Sequence, residues 1–218
     1  MSRYGRFAGR VYLINSLTFM TIAFDQAASR LRQHISHFAQ LTDEEWNALV
    51  PHLSIVTLKK HQYLIQQGNV ATQIGFVLEG LFRQFYTKDS EERTTYFFLE
   101  DGLVGAYMSC VTSRPSPVTI EAMSEVTYLY FPYAVIKSLF DQYPGWQLFG
   151  RRLAEYIMVA LEERMAGLLL LSPEERYLDL LEGDQKSLLQ RVPQHYIANY
   201  LGITPVSLSR IRNRISRS

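Results

Sequence analysis

Five arginines, Arg191, Arg210, Arg212, Arg214 and Arg217, stand in the last twenty-eight residues with no Asp or Glu among them. The chain has 22 Lys and Arg against 21 Asp and Glu, so its first 190 residues hold 17 bases and 21 acids, a net of −4. Such polarity offers one end to a polyanion and keeps the rest for another task. Guanidinium groups suit DNA twice over, as permanent cations for phosphates and as forked donors to guanine O6 and N7. Other chemistry has few candidates. Cys110 is the single cysteine, which excludes an intramolecular disulfide, a four-cysteine zinc site and a cluster held by four thiolates of one chain. His34, His37, His52, His61 and His195 show no paired ligand spacing. A cupin-type enzyme needs two or three histidines and a carboxylate on neighbouring strands, and only His52 and His61 fall near the β region, so the chain reads as no enzyme.

The arginines need a scaffold, and the segment from Gln194 to Arg214 supplies one as two short helices broken at Gly202. Ile197, Ala198 and Leu201, three and four apart, share one buried face. Gly202 follows as a left-handed stop, and Ile203 plugs the turn. Thr204 is placed to cap a second helix and Pro205 to occupy its first position. Leu208, Ile211 and Ile215 form its inward stripe, leaving Val206, Ser207, Ser209, Arg210, Arg212, Asn213 and Arg214 outside. A helix with that surface fits a major groove about 12 Å wide. The plainer alternative is a solvated helical hairpin whose cations complement its own dipole.

Between Leu53 and Phe131 the chain reads as short strands separated by turns every eight to twelve residues, an all-β sandwich or barrel. The expected strands are 55–58, 63–65, 74–78, 81–86, 94–99, 118–122 and 126–131, with turns at Gly68-Asn69, Glu79-Gly80, Lys88-Asp89-Ser90 and Asp101-Gly102. From Gly145 to Leu171 one long amphipathic helix is expected, with Trp146, Phe149, Leu153, Ile157, Leu161, Met165 and Leu168 along one stripe. That helix outruns a small β domain, so its stripe calls for a second copy of the chain. A connecting helix follows from Ser172, its cap, and ends at Gly183-Asp184.

The segment Arg191 to Arg212, together with Gln66-Gln-Gly-Asn69 and Phe76-Val-Leu-Glu-Gly-Leu-Phe-Arg83, resembles Crp/Fnr-family transcription regulators over about residues 30 to 215. The resemblance implies an α+β chain: an N-terminal β jelly roll of the cyclic-nucleotide-binding type at 25–143, a dimerisation helix at 144–171 and a helix-turn-helix domain at 172–218. It implies a cytoplasmic homodimer on an inverted repeat of double-stranded DNA, with RNA polymerase as a further partner. The expected DNA-contacting residues are His195, Thr204, Val206, Ser207, Ser209, Arg210, Arg212 and Arg214, with Arg210 matching the arginine this family commonly presents to guanine. Residues 1–24 do not fit. Arg3, Arg6 and Arg10 before the apolar run 11–24 imitate a signal peptide, yet the run is too short to span a bilayer, so the segment reads as an extension or as an overlong frame starting truly at Met20.

Relatives that bind cyclic AMP hold the ribose with a Gly-Glu pair and the phosphate with Arg-Ser or Arg-Thr. Here Ala106 stands in place of the glutamate and Ser116-Pro117 in place of the second pair, with Arg114 two residues earlier. Cyclic nucleotide binding in the usual way is therefore disfavoured, and no cofactor is certain. Two alternatives stay open: another ligand in a remodelled pocket near Ala106, Tyr107, Cys110, Arg114, Ser116 and Glu121, or DNA binding with no effector.

Overall fold

The computed structural model describes residues 24–183 and 186–216. The expectations for residues 1–23, for Asp184 and for Arg217 lie outside them. Residues 24–36 form helix α1, followed by α2 (Asp43–Asn47) and a 3-10 turn (Val50–His52). Eight strands come next: β1 (Ser54–Leu58), β2 (Tyr63–Ile65), β3 (Gln73–Glu79), β4 (Phe82–Lys88), β5 (Glu91–Phe98), β6 (Leu103–Val104), β7 (Thr119–Ala122) and β8 (Val126–Pro132). Helix α3 (Tyr107–Thr112) interrupts them after β6. The remainder is helical: α4 (Tyr133–Gln142), α5 (Pro144–Leu170), α6 (Pro173–Glu182), α7 (Leu188–Arg191), α8 (Gln194–Tyr200) and α9 (Pro205–Ile215). No helix among the described residues is long and apolar enough to cross a membrane.

The strands make two antiparallel four-stranded sheets, ordered β1-β8-β3-β6 and β2-β7-β4-β5. Leu64, Val77, Phe82, Ile120, Val126 and Tyr128 fill the space between them. The middle strands bury both faces. Along β8, Val126 and Tyr128 point into the sandwich while Leu129 and Phe131 meet the helices, which is why these strands read as continuous apolar runs. Every expected strand is present, shifted by at most three residues at an end. Gly80 takes φ +86°, and a Cβ there would lie 2.4 Å from the Glu125 carbonyl oxygen, so only glycine fits this turn. Asp89 and Ser90, at φ 51° and 63°, close the β4–β5 hairpin.

Several elements were not expected: α2, the 3-10 turn and α7, and within or beside the sandwich α3, β6 and α4. Residues 107–112, between the expected strands, form the helix α3, whose carboxy end turns through Ser113 at φ 54°. The two-residue β6 is too short to show periodicity, and α4 hides in the aromatic run after β8.

Helices α1, α2 and α4 and the first half of α5 pack on the outer face of β3 and β8 through Leu31, Ile35, Trp46, Leu49, Trp146 and Phe149. Glu45 joins these pieces. Its carboxylate closes the capping box of α2 by accepting from Thr42 N–H at 2.9 Å, and it accepts from Gly145 N–H at 2.7 Å at the start of α5, which has no side-chain cap of its own. The Trp146 indole N–H donates to the Glu45 carbonyl at 2.9 Å. Hydrogen bonding from Thr42 outweighs burial and holds the carboxyl below its ordinary range. A depressed folded-state pKa stabilises above the unfolded value, near 4.3, and that contribution disappears as pH falls through the folded value. Glu45→Gln should therefore cost about 1.5–3 kcal/mol near neutral pH, the size of hydrogen bonds to a charged group. Thermal unfolding across a pH series should show this gap flat above about pH 5 and closing on acidification. A gap that ignores pH would mean the carboxylate charge contributes nothing.

Candidate nucleic-acid interface and effector region

In the C-terminal domain Ile197, Ala198, Leu201, Leu208 and Ile211 are buried together, which places α8 against α9 as their spacing demands. Gly202 has φ +72°. Thr204 caps α9 by accepting from Ser207 N–H at 3.2 Å, and its hydroxyl lies 3.0 Å from that of Ser207. Val206, Ser209, Arg210, Arg212, Asn213 and Arg214 are exposed, Ser207 is half-buried, and His195 is exposed with its ring 3.9 Å from that of Tyr196.

Not all the tail's cations are free of acids. Arg214 pairs with Glu174 of α6, and Arg191 grips Glu100 through two hydrogen bonds of 2.6 and 2.7 Å. These acids come from outside the tail, which is why the local sequence does not show them. Burial raises Glu100, yet the Arg191 hydrogen bonds prevail and hold it below the ordinary carboxylate range. Arg210 and Arg212 have no acidic partner among the described residues. An exposed pair such as Arg214–Glu174 contributes little and yields to a competing phosphate.

The residues that hold the two helices in place were missed in the sequence. Asn199 accepts from Thr94 N–H and donates to the Glu92 carbonyl at 2.8 Å, completing hydrogen bonds at β5. Beneath it lies Arg83 of β4, 1% exposed, its guanidinium 4.1 Å from the Phe85 ring centre and 3.9 Å from that of Tyr196. Arg83 donates to Thr94 Oγ1 at 2.9 Å and pairs with Glu92, while Glu121 stands 3.6 Å away and is itself 2.6 Å from His61 Nδ1. Around this polar contact Leu81, Phe97 and Met123 of the β domain share one core with Tyr177, Leu188 and Ile197. Also at the carboxy end of α8, Arg164 of α5 hydrogen-bonds the Tyr200 carbonyl and stacks 3.8 Å over the Tyr200 ring, and Arg176 of α6 donates to the Leu201 carbonyl at 3.0 Å. Cations suit the negative end of a helix. Thus the long helix touches the reading unit directly.

The six residues expected around an effector do not converge. Ala106, at the start of α3, and Cys110 within it are buried side by side with the sandwich core. The Cys110 thiol donates to the Gln73 carbonyl at 3.5 Å, and burial pushes its pKa up, so it is held as a thiol. Ser116, 1% exposed, spends its hydroxyl on Val118, donating to the carbonyl at 2.7 Å and accepting from the N–H at 3.2 Å. Arg114 is exposed, and Tyr107 meets Tyr133 edge to face at 6.0 Å. Glu121 sits on the outer face of the other sheet, in the Arg83 contact. The recess beside Ala106 holds only about 60 Å³. Among the described residues no group of three or more His, Cys, Asp or Glu lies together as metal ligands would.

The Cyclic nucleotide-binding domain family matches residues 55–143. The Transcriptional activator protein Anr of Pseudomonas protegens is 26% identical over 175 residues, covering 74% of this chain and 70% of that protein. Lysophospholipase NTE1 of Yarrowia lipolytica is 24% identical over 98 residues, 45% of this chain, and this chain spans only 7% of its length. The crystal structure of a transcriptional regulator of the Crp/Fnr family from Eubacterium rectale superposes with a TM-score of 0.65 at 18% identity, covering 81% of this chain and 84% of that one, a likeness of fold.

Proposed function

We propose that this chain is a Crp/Fnr-type transcription regulator and that it binds an inverted repeat in double-stranded DNA as a homodimer. One observation carries the reading: α9 presents Arg210 and Arg212 on an exposed face while α8 is held by Tyr196 against Arg83 and, at its carboxy end, by Asn199 on β5 and by Arg164 and Arg176. A two-fold axis then sets two α9 helices about 34 Å apart, one turn of DNA. The second half of α5 supports the dimer, since Ile157, Leu161, Met165 and Leu168 are exposed along one stripe. RNA polymerase is the partner such a regulator addresses. Selection from random DNA should return a palindrome, and affinity independent of sequence would end this reading.

Arg210 reads a base and Arg212 a phosphate. Arg210→Ala should relax one position in each half-site by about 1–3 kcal/mol, measured by competition among single-base variants. Arg212→Ala should weaken binding to all sequences and lower the slope of log affinity against log salt by about one per phosphate lost. Arg214→Ala should do less, because phosphate binding there first breaks the Glu174 pair. Uniform loss of affinity in Arg210→Ala would assign that residue to the backbone.

Cyclic nucleotide does not control this protein in the usual way. Ala106 carries no acceptor for ribose hydroxyls, and the Ser116 hydroxyl is already bonded to Val118. Calorimetric titration with cyclic AMP and cyclic GMP tests this, and micromolar binding coupled to tighter DNA binding would overturn it.

A further inference from the structure

A cavity of about 330 Å³ lies where α1, α3, α4 and α5 meet the edge of the β3-β6-β8 sheet. Its floor belongs to the core of one chain, with Leu31, Ile35, Phe131, Trp146 and Phe149 each under 5% exposed. Its mouth runs along α5 at Ile157, Met158 and Leu161, which are exposed. No Asp, Glu, Lys, Arg or His lines it. The Trp146 N–H is engaged by the Glu45 carbonyl, so the side-chain polar groups that line the cavity are the hydroxyls of Tyr107 and Tyr133, which interact with each other.

Protein interiors are close-packed, and an empty void costs stability in proportion to its volume. Water does not cure this void, because a water needs two to four polar partners and apolar cavities stay dry. A charged ligand fares no better, since its charge would be buried with no counter-ion. A second copy's helix, about 10 Å across, can cap the mouth but cannot follow the cavity down to Leu31 and Trp146. We propose that this cavity is the effector site and takes an uncharged, largely apolar small molecule of roughly a dozen non-hydrogen atoms, about twice the capacity of a cavity that binds benzene, with one acceptor facing the Tyr107 and Tyr133 hydroxyls. Burial pushes Tyr133 up to about 12, which keeps its hydroxyl protonated as a donor. Its consequence for DNA rests on the regulator reading: such a ligand touches α5, and α5 reaches the Tyr200 carbonyl through Arg164.

The test uses the full chain and the neutral fluorophore N-phenylnaphthylamine. Saturable enhancement is expected, reversed by decanol, with decanoate at neutral pH at least about tenfold weaker because its carboxylate is stranded. Leu103→Trp fills the cavity from the sheet side, and Ala154→Phe from α5; each should weaken the probe about tenfold or more while circular dichroism stays native. Tyr133→Phe should weaken decanol severalfold and leave the fluorophore unchanged. Four results would each overturn the assignment: no saturable signal, a signal untouched by both filling variants, decanoate as effective as decanol, or a signal that vanishes as the protein is concentrated into dimers. These readouts are independent of DNA. Probe binding without any DNA motif sinks the regulator reading alone, and a motif without probe binding sinks the cavity alone.

Discussion

Replacing Arg83 with alanine will separate the unfolding of the reading unit from that of the β domain and cost about 3–5 kcal/mol, the usual penalty for removing one member of a buried charged network. The side chain lies between the Phe85 and Tyr196 rings, and its loss strips Thr94 Oγ1 of its donor and leaves Glu121 buried beside His61 alone. Both tryptophans, Trp46 and Trp146, sit in the core formed by α1, α2, α4 and α5, so their fluorescence reports the effector half only. Circular dichroism reports the helices of both halves. In the parent protein the two urea curves should coincide; in Arg83→Ala the dichroism should begin to fall first. Arg83→Met keeps the stem between the rings without stranding a cation, and should recover much of the loss. Asn199→Ala breaks the same contact from the other side and should give the same early phase. Coincident curves with a shift worth under about 1 kcal/mol would show that the halves are not coupled through this arginine.

The two helices of the reader were legible because each rule acts within a few residues: Ile197, Ala198 and Leu201 by spacing, Gly202 by its positive φ, Thr204 and Pro205 by capping. The strands were legible for a similar reason, since their turns carry residues that accept positive φ, as Gly80, Asp89 and Asp101 do. What the sequence hid is long-range. Arg83 meets Tyr196 across 113 positions and Arg191 meets Glu100 across 91, and no local pattern announces either pair. The effector residues fared worst because strand alternation decides their side of the sheet. Ile120 and Ala122 point into the sandwich, so Glu121 between them must point out, away from Ala106 and toward the reader. Asn199 left one trace: a polar residue beside Tyr196 and Tyr200 on the face of α8 that turns to β5.

Met165→Glu should convert the protein to a monomer and weaken binding to a complete inverted repeat by about a hundredfold to ten-thousandfold, the range by which tethering a second binding module raises affinity. Met165 is 59% exposed in the single chain and continues the stripe of Ile157, Leu161 and Leu168, but it does not line the 330 Å³ cavity, so the substitution leaves the effector site intact. In a two-fold interface each residue of the stripe faces the same patch of its copy. A glutamate there brings a carboxylate into an apolar seam and sets it near its own twin, which costs desolvation and like-charge repulsion together. Sedimentation equilibrium should give the mass of two chains for the parent and of one, 25.2 kDa, for the variant. Affinity for an isolated half-site should not change, because α9 and its supports on β5, α5 and α6 all belong to one chain. The salt dependence on the full repeat should fall to about half, since one reader then releases half the counter-ions. A variant that stays dimeric would move the interface elsewhere on the molecule. A monomer that still binds the repeat as tightly as the parent would show that the two half-sites are not read together, and the inverted-repeat proposal would fall with it.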